Sequence, residues 1–170
     1  MKELKNRKTP RLQGFDYNSE GAYFITICTQ NRCCILSKIV GTGVLDCPKI
    51  ELTQYGKIAE KYIIQLNDFY EHISVEDYVI MPDHIHFILF VKGNGQSRTP
   101  VPTNVTRANS VFSRFVSTFK HFCNKEYGKN IWQERAYDHI IRNHEDYEEH
   151  VKYIHENPMN WRFDELYGEE

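Results

Sequence analysis

The chain has 170 residues, 41% of them hydrophobic, 26% charged and 14% aromatic. That is the length of one domain with enough apolar material for a core, and it excludes a disordered polypeptide. The formal net charge of −2 is spread in blocks: +4 over residues 1–11, −5 over 12–91, +6 over 92–129 and −7 over 130–170. Such blocks suit a localised polyanion-binding face, although an ordinary solvated surface also fluctuates in charge. No run approaches the roughly 18 apolar residues of a membrane span, and no apolar signal segment follows the basic opening. The expectation is a soluble, cytoplasmic protein with no membrane partner.

In chain order, residues 1–14 read as a basic N-terminal arm of a single domain spanning 1–170. A run of aromatic and β-branched residues predicts a strand over 22–29. Short strands flank a turn at Val40-Gly41-Thr42-Gly43-Val44-Leu45. Thr53 is placed to cap a helix reaching about 66, with Ile58, Ala59, Tyr62, Ile63 and Leu66 on one face. Strands are predicted over 72–81 and 84–91, broken by Pro82-Asp83. The polar, Gly/Pro-punctuated stretch 92–107 predicts a mobile loop.

A second helix follows over about 108–126, with a stripe of Val111, Phe112, Phe115, Val116, Phe119 and Phe122 and with Gly128 as terminator. An extended stretch is expected over 131–137. The last helix starts after Asn143 as N-cap, with Glu145 and Asp146 in its first turn, and is expected to end before Pro158. Cys28, Cys33, Cys34, Cys47 and Cys123 form no CxxC pair, so they read as core or incidental thiols in a reducing compartment. The element order predicts an α+β domain with a largely antiparallel sheet and helices on one face.

Two constellations carry chemistry. In His84-Ile85-His86, strand alternation points both imidazoles to one face, where they can bind one metal ion. Two ordinary surface histidines would give the same spacing. The last helix carries His150, Tyr153, Glu156 and Asn157, with Tyr153 and Asn157 sharing a face, while Tyr147, Val151 and Ile154 form its core stripe. A tyrosine hydroxyl, with an unperturbed pKa of about 10, becomes a useful nucleophile when a metal polarises the electrophile. An amide or carboxylate one turn away can complete a two-histidine site. Against this, Tyr153 is one of 11 tyrosines and can simply pack with its hydroxyl exposed.

Taken together, Val79-Ile80-Met81-Pro82-Asp83-His84-Ile85-His86, Ile131-Trp132-Gln133, Tyr137-Asp138-His139-Ile140-Ile141-Arg142-Asn143 and Tyr153-Ile154-His155-Glu156-Asn157-Pro158 resemble the REP-associated tyrosine transposases. That family is part of the HUH single-tyrosine transposases. Arg11-Leu12-Gln13-Gly14-Phe15-Asp16-Tyr17 and Tyr23-Phe24-Ile25-Thr26-Ile27 also suit it, so the resemblance spans nearly the whole chain.

It implies a ferredoxin-like antiparallel sheet with helices packed mainly on one face. It also implies a metal-dependent single-stranded-DNA endonuclease and strand transferase. By resemblance His84 and His86 are metal ligands, Asn157 is the third ligand, and Tyr153 is the nucleophile that leaves a 5′-phosphotyrosine and a free 3′-hydroxyl. Mg²⁺ or Mn²⁺ is the implied ion; imidazole favours softer metals and an amide oxygen harder ones, and Mn²⁺ suits both.

His139 and Tyr137 are candidates for a supporting role, and Tyr137 is the natural rival nucleophile. Arg7, Lys8, Arg11, Arg107, Arg114 and Lys120 could track a phosphate backbone, with Phe15, Tyr17 or Trp132 available for base stacking or for the core. The expected partner is single-stranded or hairpin-forming repeat DNA, bound by a monomer or homodimer. Two other readings stay open: a domesticated DNA-binding module without transposition activity, and a metal-dependent hydrolase that uses water.

Overall fold

The computed structural model describes residues 19–41, 48–92 and 110–161. Its elements are β1 (Gly21–Cys28), β2 (Ser37–Val40), β3 (Lys49–Leu52), α1 (Gln54–Phe69), β4 (Ile73–Ile80), β5 (His84–Val91), α2 (Val111–Tyr127), β6 (Tyr137–Ile141) and α3 (His144–Asn160). The central strands β1 and β5 are buried on both faces, as their nearly continuous apolar sequences require. They pair antiparallel in a four-stranded sheet of order β4-β5-β1-β6, and β2 and β3 form a separate two-stranded ribbon.

β5 lies between β1 and β4, and β1 lies between β5 and β6. The chain therefore makes two split βαβ crossovers, β1-α1-β4 and β5-α2-β6, which is the ferredoxin-like plan. Both crossover helices cover one face. Tyr23, Ile25, Ile27, Ile85, Phe87, Leu89 and Val91 point into it and meet Ala59, Ile63 and Leu66 of α1 and Phe112, Phe115 and Phe119 of α2. Expelling so many large side chains from water is the main stabilisation of this layer, at roughly 1.5–3 kcal/mol per residue.

The third helix covers the opposite face. There Ala22, Val79, Met81, Ile88, Ile154 and Trp161 form a smaller core. The alternate residues of the same two central strands, Thr26, His84 and His86, also project to this side. One strand pattern thus supplies a dry face and a face holding polar groups under α3.

The caps are as expected. Thr53 accepts from Gly56 N–H, Asn143 from Asp146 N–H, and Gly128 ends α2 in the left-handed region at φ 71°. Ser110 caps α2 by accepting from Ser113 N–H. Phe122 lies at the edge of the predicted stripe, stacked on Tyr62 at 5.5 Å. Cys28 and Cys123 are buried free thiols, while Cys33 and Cys34 are exposed. No helix among the described residues is long and apolar enough to cross a membrane.

Three boundaries differ. α1 runs on to Phe69, beyond the expected end near 66. α3 continues through Pro158 to Asn160. The proline forfeits a bond near the helix end, where little helix remains to be disrupted, while Trp161, 5% exposed, is held in the core just beyond. The last strand covers 137–141 rather than 131–137. Ile131 and Trp132 are buried, Trp132 makes an isolated bridge to Thr29, and regular pairing with β1 begins only at Tyr137. The basic arm, Cys47, most of the turn at 40–45 and nearly all of the stretch 92–107 fall outside the described residues.

The first turn of α1 is seated on the main chain before β2. Thr53 N–H donates to Leu36 O at 3.0 Å. A Cβ at Gly56 would lie far inside the van der Waals contact distance to that same Leu36 oxygen. Gly56→Ala is therefore expected to destabilise the protein by at least about 2 kcal/mol, read as a lowered urea midpoint, despite alanine's better helix propensity.

Candidate active site

The register of β1 against β5 sets the site. Thr26 stands opposite His86, and Cys28 opposite His84. The two imidazoles share a face as strand alternation demands, with ring centroids 4.4 Å apart. Both are nearly inaccessible: His84 is 3% and His86 5% exposed. This is not the surface pair that the spacing alone also allowed.

Each ring is tied at Nδ1. His84 Nδ1 lies 2.6 Å from Asp83 Oδ1. An ionised carboxylate only accepts, so Nδ1 carries a hydrogen and Nε2 is the nitrogen left to face a ligand. Asp83, itself 1% exposed, pairs through Oδ2 with Arg32 Nε at 2.8 Å. Arg32 reaches it from a turn just after β1 in which Asn31 and Arg32 both have left-handed φ, 55° and 57°. Two such non-glycine residues in succession are costly, of order 1–3 kcal/mol each. The turn returns Arg32 over the sheet end, where its Nη1 also donates to Cys28 Sγ at 2.9 Å.

His86 Nδ1 lies 2.8 Å from Thr26 Oγ1, while its Nε2 is buried without a hydrogen-bond partner. Burial, then the neighbouring His84, Arg32 and His150, push the His86 pKa well below its ordinary value. The ring is thus neutral at neutral pH, the form that binds metal. In the tautomer whose Nδ1 donates to Thr26 Oγ1, Nε2 presents its lone pair to no partner among the described residues, as a missing ligand would leave it.

α3 supplies the rest. Tyr153 is 48% exposed and stands edge-on to His86 at 5.2 Å and to Phe24 at 5.8 Å. Eight residues on, Trp161 lies 6.0 Å from His84. Asn157, one helical turn from Tyr153 and one from Trp161, shares their helical face and is 8% exposed. Glu156 instead points outward, with Lys152 Nζ 3.8 Å away. An imidazole pair and a carboxamide form a mixed nitrogen–oxygen donor set that fits a divalent ion, Mn²⁺ in particular.

The remaining candidates are scattered. Tyr137 and His139 pair with Thr26 and Phe24, so both lie on the histidine face. His139 is turned toward Asp146, 2.9 Å from its Oδ1. Arg114 and Lys120 are on α2, the helix of the opposite face, and Lys120 Nζ donates to Gln133 O at 2.8 Å. Trp132 is in the core, 1% exposed. Arg7, Lys8, Arg11, Phe15, Tyr17 and Arg107 lie outside the described residues.

Thr26, Arg32, Asp83 and Trp161 were not singled out as functional from the sequence. Asp83 directly before the histidine pair was a usable signal. Thr26 and Arg32 become visible only through strand register and the left-handed turn.

Burial of neutral His86 has a measurable consequence. The unfolded ring takes up a proton below about pH 6.5, whereas the folded ring resists it. Metal-free protein should lose stability as the pH falls through that value. Urea unfolding at pH 7.5 and 5.5 should show a smaller loss for His86→Gln, which removes the titrating group.

No family model matches the chain. An uncharacterized protein of Haemophilus influenzae is 28% identical over 176 residues, covering 96% of this chain and 94% of the relative. A REP-associated tyrosine transposase of Escherichia coli is 28% identical over 143 residues, covering 84% of this chain and 69% of its own length. Among solved structures, a REP-associated tyrosine transposase bound to a REP hairpin matches with a TM-score of 0.59 at 25% identity, over 84% of this chain and 68% of that one.

Proposed function

We propose, from the premise that this chain is a relative of the REP-associated tyrosine transposases, that it is a metal-dependent single-stranded-DNA endonuclease and strand transferase. Its substrate is hairpin-forming repeat DNA. The similar transposase structure, with its REP hairpin, supports the DNA class. The observation that carries the chemistry is the buried, unpartnered His86 Nε2 beside His84, with both rings tied at Nδ1 and a half-exposed tyrosine edge-on to one of them.

In this reading His84, His86 and Asn157 would hold Mg²⁺ or Mn²⁺, which would supply polarisation of a phosphate oxygen and orientation of the scissile group. Asp83 and Thr26 fix which imidazole nitrogen faces the ion, and Arg32 holds Asp83. Tyr153, half in solvent, gives up its Oη proton to water, and the oxygen attacks phosphorus. One P–O bond forms to tyrosine, the P–O bond to the 3′-oxygen breaks, and that oxygen leaves as a hydroxyl after protonation. The 5′ end stays on the protein as a phosphotyrosine. Covalent capture conserves the phosphodiester energy for rejoining, which hydrolysis would discard.

Incubating the full chain with end-labelled hairpin oligonucleotides and Mn²⁺ tests this directly. A denaturing gel should show a protein–DNA adduct that EDTA prevents. Cleavage products without an adduct would identify a water-using hydrolase. Binding without any metal-dependent cleavage would leave a DNA-binding module.

A further inference from the structure

Beside the proposed centre, the histidine face carries a second constellation. His139 on β6 and Asp146 and His150 on α3 bring one ligand atom each to within 4.8 Å of one another. His139 Nε2 lies 2.9 and 3.0 Å from the two Asp146 oxygens. His150 Nδ1 lies 3.2 Å from Asp146 Oδ1 and 2.7 Å from the Asp146 main-chain oxygen. The two imidazoles are stacked at 4.6 Å.

We propose that His139, Asp146 and His150 form a second divalent transition-metal site, distinct from His84 and His86. Atoms bound to one ion at 2.0–2.2 Å stand about 2.8–3.6 Å apart in octahedral or tetrahedral geometry, the range in which the His139–Asp146 and His150–Asp146 spacings already fall. An ion would take the place of the N–H hydrogens that now bridge these groups. Two imidazoles and one carboxylate favour Zn²⁺, Ni²⁺ or Co²⁺ over Mg²⁺.

The carboxylate is held for the task. Asp146 Oδ2 accepts from Arg142 N–H at 3.0 Å, and its own N–H donates to the Asn143 cap. Phe24 packs between the two groups, stacked on His86 at 5.0 Å and 4.6 Å from His150. That ring stands between the two groups, so one ion does not bridge them. α3 rests on β4 and β5. An ion at this cluster would pin its first turns to β6 as well, fixing the helix that carries Tyr153.

Co²⁺, whose visible absorption reports imidazole coordination, is the probe. The full chain should bind two equivalents, and His84→Ala/His86→Ala should retain one. Adding Asp146→Asn to that double variant should remove it. Asparagine can still accept from Arg142 N–H, so the cap survives; His139→Gln on the strand surface is a second, independent variant. Circular dichroism confirms that each is folded. The proposal fails if Asp146→Asn and His139→Gln both keep the parent stoichiometry. A single equivalent lost with His84 and His86 also overturns it, while leaving the catalytic reading intact. Conversely, a single equivalent lost only with Asp146 and His139 supports it and removes the catalytic metal instead.

Discussion

Tyr153→Phe should eliminate the covalent protein–DNA adduct while leaving DNA and metal binding at their starting affinity. The substitution keeps the ring, and the edge contacts to His86 and Phe24 belong to the ring. With the hydroxyl half in solvent, its removal opens no buried cavity, so stability should change by less than about 0.5 kcal/mol. Tyr137→Phe is the necessary control. Tyr137 shares the histidine face, opposite Thr26, and would be chosen if proximity to the sheet were the only criterion. Tyr137→Phe should still form the adduct, because Tyr137 has no helical partner such as Asn157 is to Tyr153. Peptide mapping of trapped material decides between them: a nucleotide on Tyr137, or an adduct formed by Tyr153→Phe, refutes the assignment.

Removing either imidazole should be as severe for chemistry by a different route. His86→Ala and His84→Ala are each expected to abolish Mn²⁺-dependent cleavage while hairpin binding persists, since phosphate contacts to basic side chains do not need the ion. Asp83→Asn should be graded rather than total. The amide can no longer act as the charged acceptor for His84 Nδ1–H, and loss of such a carboxylate–histidine support typically weakens metal binding about 10–100-fold. Raising Mn²⁺ should therefore restore cleavage by Asp83→Asn and not by His86→Ala. Equal behaviour of the two variants, or cleavage by both without metal, would sink the metal-site reading.

Local pattern was enough for much of this molecule. Alternation along 84–91 put Ile85, Phe87, Leu89 and Val91 on one side and the histidines on the other, because side-chain direction in a strand has a period of two whatever the strand pairs with. Helical spacing likewise placed Tyr153 with Asn157 and apart from the core residue Ile154. Thr53 and Asn143 were readable as caps because a short polar side chain before a helix satisfies an otherwise unpaired N–H. Where a boundary depended on competition rather than pattern, the reading slipped. Pro158 was expected to end a helix that continues to Asn160, and the segment at 131–137 was expected to be the strand that forms at 137–141.

What sequence by itself determined, then, was the α+β class and the residues that local geometry sorts to one face: His84 with His86, and Tyr153 with Asn157. Tertiary structure decided that Tyr153 stands against His86, since nothing local states that α3 crosses the sheet on the side opposite α1 and α2. It also brought Thr26 to His86 across 60 residues of chain, Arg32 to Asp83 through a left-handed turn, and His139 to Asp146 between strand and helix. Such contacts depend on sheet order and register, which are set by how two hydrophobic layers can be buried at once, and no single segment contains that information.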